Sequence, residues 1–425
     1  MSMERAESAR KGHSSRDHGR MGRPWKPAEA GGILRGAEDA QQASFLELFF
    51  DLVLVFALVG VVSRMGPDLL SDNVSVRWLS LLYTFVLALP LLWLWTTTAY
   101  VTSRFDYRNR WIQLLVLVSA FGLLIMATSL YEFEQRGATF AIVYVVLHIG
   151  RPLVLRPLLR EHENVRALYT RLAIWASISG VIWLVGAAMH GNHRIALWAI
   201  AITVDLVVAR FRWPLPGMGR PPTSAWAMAS SRHLPERYQQ LLLIALGETV
   251  LSIGLTYANH PATLAAKSAL VVTFLSSVLM WRIYFYRAGQ VLAEAVEMSS
   301  NRAAAGGIVG VAHLLMVLGI TLTAAGSEIV LAHPEGPSVP AWLVVILGGP
   351  ALFLFGRSRL ERVVFDRLAV RRLVGIGVLV LLAPLLFFGP PLLAALAAAA
   401  VLLGVAVADA RRAAGRPPEA PSPSA

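Results

Sequence analysis

The amino-acid sequence predicts an all-α fold, a polytopic transmembrane helix bundle of about twelve spans. Of the 425 residues, 56% are hydrophobic and only 15% are charged, whereas a soluble domain carries about 25% charged residues. The mean hydropathy is +0.59. Apolar runs of about 20 residues, the length that crosses a bilayer as a helix, recur along the chain, and a helix satisfies their backbone in lipid. This composition excludes an ordinary soluble enzyme and a disordered chain.

The apolar runs divide the chain into two tails and two halves. Residues 1–44 and 409–425 are predicted to be disordered cytoplasmic tails because they lack such a run. The first transmembrane half covers 45–210 and the second covers 239–408, and a Pro- and Gly-rich cytoplasmic linker at 211–238 joins them. Two six-helix halves of the same orientation would be a parallel duplication, which is common among transporters. The predicted spans are 46–63, 78–100, 111–130, 139–156, 172–189, 194–210, 239–257, 268–287, 305–331, 340–356, 373–389 and 391–408.

The positive charges predict the orientation of the bundle. The chain has 38 Lys and Arg against 26 Asp and Glu, a net charge of +12. With twelve spans, 33 of the 38 cations fall on the side of the N-terminus, and cytoplasmic loops carry such an excess. Both termini are therefore predicted to be cytoplasmic, in the bacterial cytoplasmic membrane, and a nucleic-acid partner is excluded. Removing the last two spans together would change this charge pattern least. Pro390 and Pro391, which lie between them, fit either a tight hairpin or a re-entrant break.

Several chemistries have no signature in the chain. With no Cys there is no disulfide framework, no Cys-ligated zinc and no catalytic thiol. A phosphate-binding Gly-rich loop with Lys, a His-Glu-x-x-His motif and a Gly-x-Ser-x-Gly elbow are all absent from the sequence. We therefore predict no cofactor, no metal site and no catalytic residues of these kinds.

Two carboxylates near the start of the first span are candidate site residues. Glu47 and Asp51 lie at i and i+4, so both project from one face of a helix. Neighbouring carboxylates repel, so one holds a proton or the two share a cation. The alternative is that both acids simply favour a helix N-terminus, with Glu47 at the level of the lipid headgroups.

The seventh span carries a polar stripe. Glu236, Gln240, Glu248, Ser252 and Thr256 are separated by multiples of four and share one face of a helix. Glu248 lies near the middle of its apolar run, where ionisable groups are costly and usually face the bundle interior or a pathway. It serves either in a structural hydrogen bond or ion pair between helices, or in binding or relay of a proton.

Other polar and small residues in the spans have structural interpretations. Asp205 is expected to pair with Arg210 one turn and a half along the same helix. Glu328 lies near the end of the ninth run and is expected to reach water. Gly306 and Gly310 form a GxxxG motif that is expected to pack helices together.

Three segments resemble the bacterial low temperature requirement protein A family. They are FLELFFDLVLVFAL at 45–58, WLWTTTAYVTSRFDYRNRW at 93–111 and HLPERYQQLLLIALGETVLSIG at 233–254. The resemblance spans roughly 40–380, and Gln239 and Thr249 depart from its pattern. It implies a multi-helix inner-membrane protein of undefined function, for which transport is one candidate, and it identifies no substrate. The family pattern falls on Glu47, Phe50, Asp51, Arg104, Asp106, Glu236, Arg237, Gly247 and Glu248.

The leading functional hypothesis is a secondary transporter or ion-conducting protein. Asp51 and Glu248 would bind a proton or a small cation between the halves. Glu47 and Glu236 would form the cytoplasmic mouth, and Ser252 and Thr256 would continue the path. The alternatives are a membrane-embedded enzyme acting on lipid or lipid-linked substrates, and a structural or sensory protein whose acids pair with Arg104 or Arg237. The expected partner is the lipid bilayer, and the oligomeric state stays open, a homo-oligomer included.

Overall fold

The computed structural model describes residues 33–34, 43–219, 233–286, 289–300, 302–415 and 419–423. Regular secondary structure in these ranges consists of thirteen helices. They are α1 (Phe45–Leu70), α2 (Val74–Arg104), α3 (Arg110–Ser129), α4 (Phe133–Leu158), α5 (Glu163–Ala187), α6 (Gly191–Arg210), α7 (His233–Ala258), α8 (Leu264–Phe285), α9 (Leu292–Met298), α10 (Arg302–Ala332), α11 (Pro340–Phe365), α12 (Val370–Leu386) and α13 (Pro391–Ala413).

The prediction of an all-α polytopic bundle is confirmed. Eleven of the described helices are long and apolar enough to cross a membrane, so the chain is a multi-pass membrane protein. The predicted eleventh span is α12, whose 17 residues extend for about 26 Å and leave it outside that group. Large apolar side chains such as Leu52, Phe121, Leu255 and Leu381 are exposed on the outside of the bundle, where lipid would cover them.

The helices extend beyond the apolar runs that predict them. Helix α7 begins at His233, inside the predicted linker 211–238, and so includes Glu236 and Arg237. A hydropathy criterion stops at such charges, whereas the fold accepts Arg237 because Asp51 and Glu47 of α1 pair with it, and Glu236 is only half-buried. Residues 220–232 of the linker lie outside the described residues.

Residues of the two predicted tails make backbone hydrogen bonds to the ends of helices at two places. Ile33 and Leu34 lie against the end of α2, where the Ile33 carbonyl accepts a hydrogen bond from the amide of Asp106 at 3.1 Å. Near the other terminus, the amide of Ser422 donates to the Val364 carbonyl at 2.9 Å. Free backbone groups at the helix ends give these short segments partners. Most of 1–44, and residues 416–418 and 424–425, lie outside the described residues.

The two halves repeat one packing pattern. In the first half the neighbouring pairs include α1–α2, α1–α3, α3–α4, α4–α5, α5–α6 and α2–α6. In the second half the corresponding pairs α7–α8, α7–α10, α10–α11, α11–α12, α12–α13 and α8–α13 all pack together. The arrangement agrees with two six-helix halves, with α9 added between the second and third helices of the second half.

A Gly-Arg pair occupies equivalent positions in the two halves. Gly150 and Arg151 lie in α4, and Gly356 and Arg357 lie in its counterpart α11. Both arginines are buried, and each donates to the second helix of its own half. Arg151 donates to the hydroxyl of Thr97 in α2, and the Nε of Arg357 donates to a carbonyl of α8 at 3.1 Å.

Helices α1, α7 and α10 run parallel to one another at the junction of the halves. Contacts near their starts and contacts near their ends both join them, which fixes the common direction. The contacts are Asp51 with Arg237, Tyr238 with Gly310, Ser252 with Glu328 and Gly66 with Glu328.

Helix α11 packs antiparallel against α10 through glycines. Gly319 and Gly326 of α10 face Gly349 and Gly356 of α11 or the adjoining backbone. A Cβ built on Gly319 would lie 2.5 Å from the backbone nitrogen of Phe353, which is closer than atoms can approach. Small residues let the backbones of two membrane helices approach in this way. The ends of α11 and of α8 therefore lie at the same end of the bundle as the starts of α1, α7 and α10.

The predicted GxxxG motif does not form this contact. Within the described part of the chain, a Cβ on Gly306 would meet no atom within 4 Å, and a Cβ on Gly310 would meet Tyr238 of α7, with the hydroxyl at 2.7 Å. The prediction for Gly306 is wrong because its face of α10 points away from the neighbouring helices.

Candidate functional site

A buried ion cluster joins the starts of α1 and α7. We call it the inner cluster, and it consists of Glu47 and Asp51 on α1, His233 and Arg237 on α7, and Trp95 on α2. Each of these five residues is at most 1% exposed. The polar groups of the cluster therefore depend on one another rather than on water.

Asp51 and Arg237 form a two-pronged ion pair. Arg237 Nη1 donates to Asp51 Oδ2 at 2.6 Å, and its Nη2 donates to Oδ1 at 2.7 Å. The indole Nε1 of Trp95 also donates to Asp51 Oδ1 at 2.8 Å, and the guanidinium lies 5.6 Å from the centre of the indole ring. Bidentate pairs of this kind are the strong charge-assisted hydrogen bonds. Asp51 is thus held in place with its own counterion.

Glu47 connects the start of α1 to α7. Its Oε2 accepts hydrogen bonds from the amide of Ser44 at 2.8 Å and from the Ser44 hydroxyl at 2.9 Å, and Ser44 caps the helix in return. Its Oε1 lies 3.3 Å from His233 Nε2 and 3.5 Å from Arg237 Nε. The other ring nitrogen of His233 is 2.8 Å from the Ser103 hydroxyl. Glu47 therefore combines the helix-capping role that the sequence suggests with an ion pair across the bundle.

A second acidic site lies farther along the same helices. We call it the outer acid pair, and it consists of Glu248 on α7 and Glu328 on α10, with Ser252 between them. The Ser252 hydroxyl donates to Glu328 Oε1 at 2.5 Å, and a Cβ on Gly66 of α1 would lie 3.4 Å from Glu328 Oε2. Glu328 is half-buried at this junction. Glu328 therefore keeps part of its surface exposed, and its carboxylate also contacts Ser252 and α1.

Glu248 is fully buried and has no hydrogen-bond partner. Its exposed fraction is 0%, and both of its carboxylate oxygens lack a hydrogen bond within the described residues. It is one turn from Ser252 on the same face of α7, next to the carboxylate of Glu328. Buried polar groups are nearly always hydrogen-bonded, so an unsatisfied carboxylate between three helices is exceptional.

The structure does not bring Asp51 and Glu248 together. Arg237 holds Asp51, and Glu248 lies eleven residues farther along α7, a rise of about 16 Å. The acids divide into the inner cluster and the outer acid pair. Sequence reasoning placed both acids in one site because each belongs to the polar face of its helix, whereas depth along the helix separates them.

Of the remaining residues of the polar stripe, Gln240 contacts the inner cluster, because its Oε1 accepts a hydrogen bond from Arg237 Nη1 at 2.9 Å, whereas Glu236 and Thr256 lie apart from both groups. Glu236 is half-buried, and no ion pair among the described residues includes it. Thr256 lies near the end of α7, and its carbonyl is 2.8 Å from His260 Nδ1. Phe50 is fully buried among apolar side chains, and a Cβ on Gly247 would meet no atom within 4 Å. Phe50 therefore has a packing role. Position 247 has room for a larger side chain, so helix packing does not explain the glycine there.

Arg104 and Asp106 lie at the end of α2. Arg104 is buried and is the last residue of the helix. Asp106 is half-exposed, and its Oδ1 accepts the amide of Arg108 at 2.9 Å. Asp106 therefore shapes the turn between α2 and α3, and neither residue belongs to the inner cluster or the outer acid pair.

Asp205 pairs with α4 rather than with Arg210, so that prediction is wrong. The Tyr144 hydroxyl donates to Asp205 Oδ2 at 3.0 Å, and His148 Nε2 is 3.3 Å from Oδ1. The side chain of Asp205 points toward α4, whereas Arg210 lies at the end of α6.

Trp95 and His233 are members of the inner cluster that sequence reasoning did not assign to a site. Both lie within the quoted segments 93–111 and 233–254, next to residues of the family pattern. A buried carboxylate needs hydrogen-bond donors, and an indole N–H and an imidazole can both donate. A search of the quoted segments for such donors would have found Trp95 and His233.

Replacing Trp95 with Phe tests the indole hydrogen bond. We expect the variant to lower the free energy of unfolding by about 1.5–3 kcal/mol, since a hydrogen bond to a charged group is worth that much. The midpoint of thermal unfolding in detergent measures the change. Trp78→Phe on the exposed face of the same helix is the matched control, and equal effects of the two substitutions would contradict the role of the indole.

The fold and the buried acids define a multi-pass α-helical membrane protein, and comparison with known proteins agrees with this class. The chain belongs to the bacterial low temperature requirement A protein (LtrA) family, whose profile matches residues 42–407. A Rhizobium meliloti protein described as uncharacterised is 33% identical over 344 residues, which cover 80% of this chain and 82% of that protein. No solved structure matches the chain.

Proposed function

We propose that this protein is a secondary transporter or ion-conducting protein of the bacterial cytoplasmic membrane. The outer acid pair of Glu248 and Glu328 binds a proton or a small monovalent cation. The inner cluster closes the cytoplasmic end of the same path between α1 and α7. The positive-inside distribution of Lys and Arg supports this orientation.

The observation that carries the proposal is the unsatisfied carboxylate of Glu248. An isolated ionised carboxylate in a low-dielectric interior is so unfavourable that it takes up a proton or a counterion. The neighbouring acid Glu328 adds like-charge repulsion, and the pair therefore favours holding at least one proton or cation. The carboxylate of Glu248 has to hold a proton or a cation in order to be buried, and it lies at the junction of the two halves. Such a position suits a binding site in an alternating-access transporter.

The oxygen atoms at the outer acid pair favour a proton or a monovalent cation over Ca²⁺. Two carboxylates and the Ser252 hydroxyl offer five oxygen atoms, and Ser252 already donates to Glu328. Ca²⁺ takes six to eight oxygen ligands. A single proton shared between Glu248 and Glu328 needs only one contact to each.

The inner cluster supports a closing role rather than a binding role for Asp51. Both oxygens of Asp51 are engaged by Arg237, and Trp95 adds a further donor. Such a saturated pair leaves no position for an additional cation. Opening of this end would separate α1 from α7 and break the Asp51–Arg237 pair.

A cavity with polar and apolar lining supports access from the other end of the bundle. It has a volume of about 510 Å³ and opens beside the end of α1. Its lining includes Asp68, Glu132 and Glu134 together with Arg64. Salt bridges join these acids to arginines, Asp68 to Arg64 at 3.4 Å, Glu132 to Arg136 at 2.7 Å and Glu134 to Arg194 at 4.0 Å. The cavity therefore offers solvent access at the level of Gly66, which faces Glu328, without an excess of negative charge.

Flux through proteoliposomes tests the proposal. The full-length protein is reconstituted, and proton, Na⁺ and K⁺ fluxes are measured separately with wild type and Glu248→Gln. Loss of an interaction with a charged group worth about 1.5–3 kcal/mol corresponds to a flux reduced by about ten- to a hundredfold. The variant should keep its thermal midpoint, because Gln removes a buried charge that lacks a partner.

Glu335→Gln is the matched control because the same substitution falls on an exposed residue beyond α10. It should leave the flux unchanged. Wild-type flux equal to that of protein-free liposomes would reject transport of these ions. A Glu248→Gln variant that loses stability in proportion to flux would show that Glu248 is structural.

A further inference from the structure

A group of arginines lies at the ends of α11, α12 and α13, apart from the inner cluster and the outer acid pair. We call it the C-terminal arginine cluster, and it surrounds a small pocket together with Glu361 and Asp409. The arginines that line the pocket are Arg357, Arg367, Arg371, Arg372 and Arg412. This cluster lies at the same end of the bundle as the inner cluster, because α11 runs antiparallel to α10.

Two carboxylates are shared among most of these arginines. Glu361 pairs with Arg372 and also lies 2.8 Å from Arg367 Nε and 3.9 Å from Arg357 Nη1. Asp409 is 2.7 Å from Arg372 Nη2 and 3.5 Å from Arg371 Nη1. Five guanidinium groups therefore face two carboxylates in the pocket lining, and the positive charge is in excess.

The excess charge is partly buried. Arg357 is 1% exposed and Arg372 is 3% exposed, and Nη1 of Arg357 and Nε of Arg372 have no hydrogen-bond partner in the described part of the chain. Burying a cation is costly unless an anion is paired with it. The cluster thus has both the charge and the free donors to receive a further anion.

The C-terminal segment supplies such an anion in this structure. Glu419 pairs with Arg367, and the amide of Ser422 donates to the Val364 carbonyl at 2.9 Å, which holds the segment against the end of α11. The pocket that remains has a volume of about 20 Å³, enough for about one water molecule. Glu419 is outside the residues that line this pocket but occupies Arg367, which does line it, so an anion that pairs with Arg367 has to compete with Glu419.

We propose that the C-terminal arginine cluster is a binding site for a phosphate group and that Glu419 competes with the phosphate for it. Guanidinium groups bind phosphate through paired hydrogen bonds. Basic pockets between helix ends at the cytoplasmic side of a membrane receive the headgroups of anionic lipids. The phosphate comes either from such a headgroup or from a soluble anion, and the two sources place the same chemical group among the same arginines.

Binding to the full-length protein in two arms tests this proposal. In the first arm, native mass spectrometry measures retention of phosphatidylglycerol against phosphatidylcholine with the same acyl chains. In the second, inorganic phosphate is titrated into the protein in phosphatidylcholine nanodiscs. Arg371→Gln/Arg412→Gln should bind phosphate groups about thirtyfold more weakly, since two basic groups at the membrane surface are lost, and Glu419→Gln should bind more tightly than wild type.

Arg411→Gln is the matched control, because Arg411 is exposed and does not line the pocket. Binding in the lipid arm alone assigns a headgroup, and binding in the phosphate arm alone assigns a soluble anion. Equal binding by wild type and the double variant in both arms would overturn the proposal, as would an equal loss in Arg411→Gln. Glu419→Gln retains every arginine, and failure of this variant to bind more tightly would refute the competition.

Discussion

Replacing Arg237 with Gln should be among the most destabilising single changes in this protein. The substitution leaves Asp51 and Glu47 buried without their shared cation, and removal of one partner of a buried ion pair costs about 3–5 kcal/mol. We expect a much lower yield of folded protein and a lower midpoint of thermal unfolding in detergent. Arg166→Gln removes an arginine from the exposed face of α5 and should have little effect.

A double-mutant cycle with Asp51→Asn isolates the pair. Asp51→Asn alone leaves Arg237 buried with only Glu47 as an acid, so it should also destabilise the protein. The double variant Asp51→Asn/Arg237→Gln removes both charges together, and its loss should be smaller than the sum of the two single losses. Additive losses would show that Asp51 and Arg237 do not interact in the folded protein.

The ion pair also shows why the sequence predicts the elements of this fold better than its sites. The alternation of apolar runs and charged loops predicts each membrane helix, because a span must satisfy its own backbone and cations collect on one side. Which faces of α1 and α7 meet depends on packing between segments 186 residues apart. The sequence therefore allowed two roles for Asp51, a binding carboxylate or a partner of Arg237, and the contact between α1 and α7 shows the ion pair.

The outer acid pair illustrates the opposite case. The position of Glu248 within an apolar run predicted a buried acid, and the structure places it at 0% exposure. Its neighbour Glu328 belongs to another helix near the end of an apolar run, so hydropathy suggested contact with water. Only the depth at which α10 packs against α1 and α7 brings Glu328 to Ser252.

The arginines at the end of α11 were counted in the sequence only as orienting charges. That interpretation accounts for the side on which they lie and not for their burial. Arg357 repeats the position of Arg151 in the first half, so the duplicated architecture explains one of the buried guanidinium groups. The other arginines of the C-terminal arginine cluster are not explained in this way, and the pattern of apolar runs does not predict that they lie together.

Glycine spacing gives the second prediction of a large effect. Gly319 and Gly326 in α10, and Gly349 and Gly356 in α11, are each seven residues apart, so each pair lies on one face of its helix. The sequence contained this signal, but the shorter GxxxG at Gly306 and Gly310 drew the packing assignment instead. The contact distances show which glycines the α10–α11 interface requires.

Gly319→Val should therefore disrupt the packing of α10 on α11. Its Cβ alone would lie 2.5 Å from the backbone nitrogen of Phe353 and 2.8 Å from the Gly349 carbonyl oxygen, and backbone atoms cannot rotate away as a side chain can. The helices must separate, so we expect a loss of at least about 3 kcal/mol, the upper end of the usual cost of overpacking. The midpoint of thermal unfolding measures this loss. Gly306→Val, on the open face of the same helix, is the control because it makes the same change in helix propensity without the clash. Its midpoint of thermal unfolding should stay close to that of wild type. An equal loss in both variants would show that the α10–α11 contact does not need glycine.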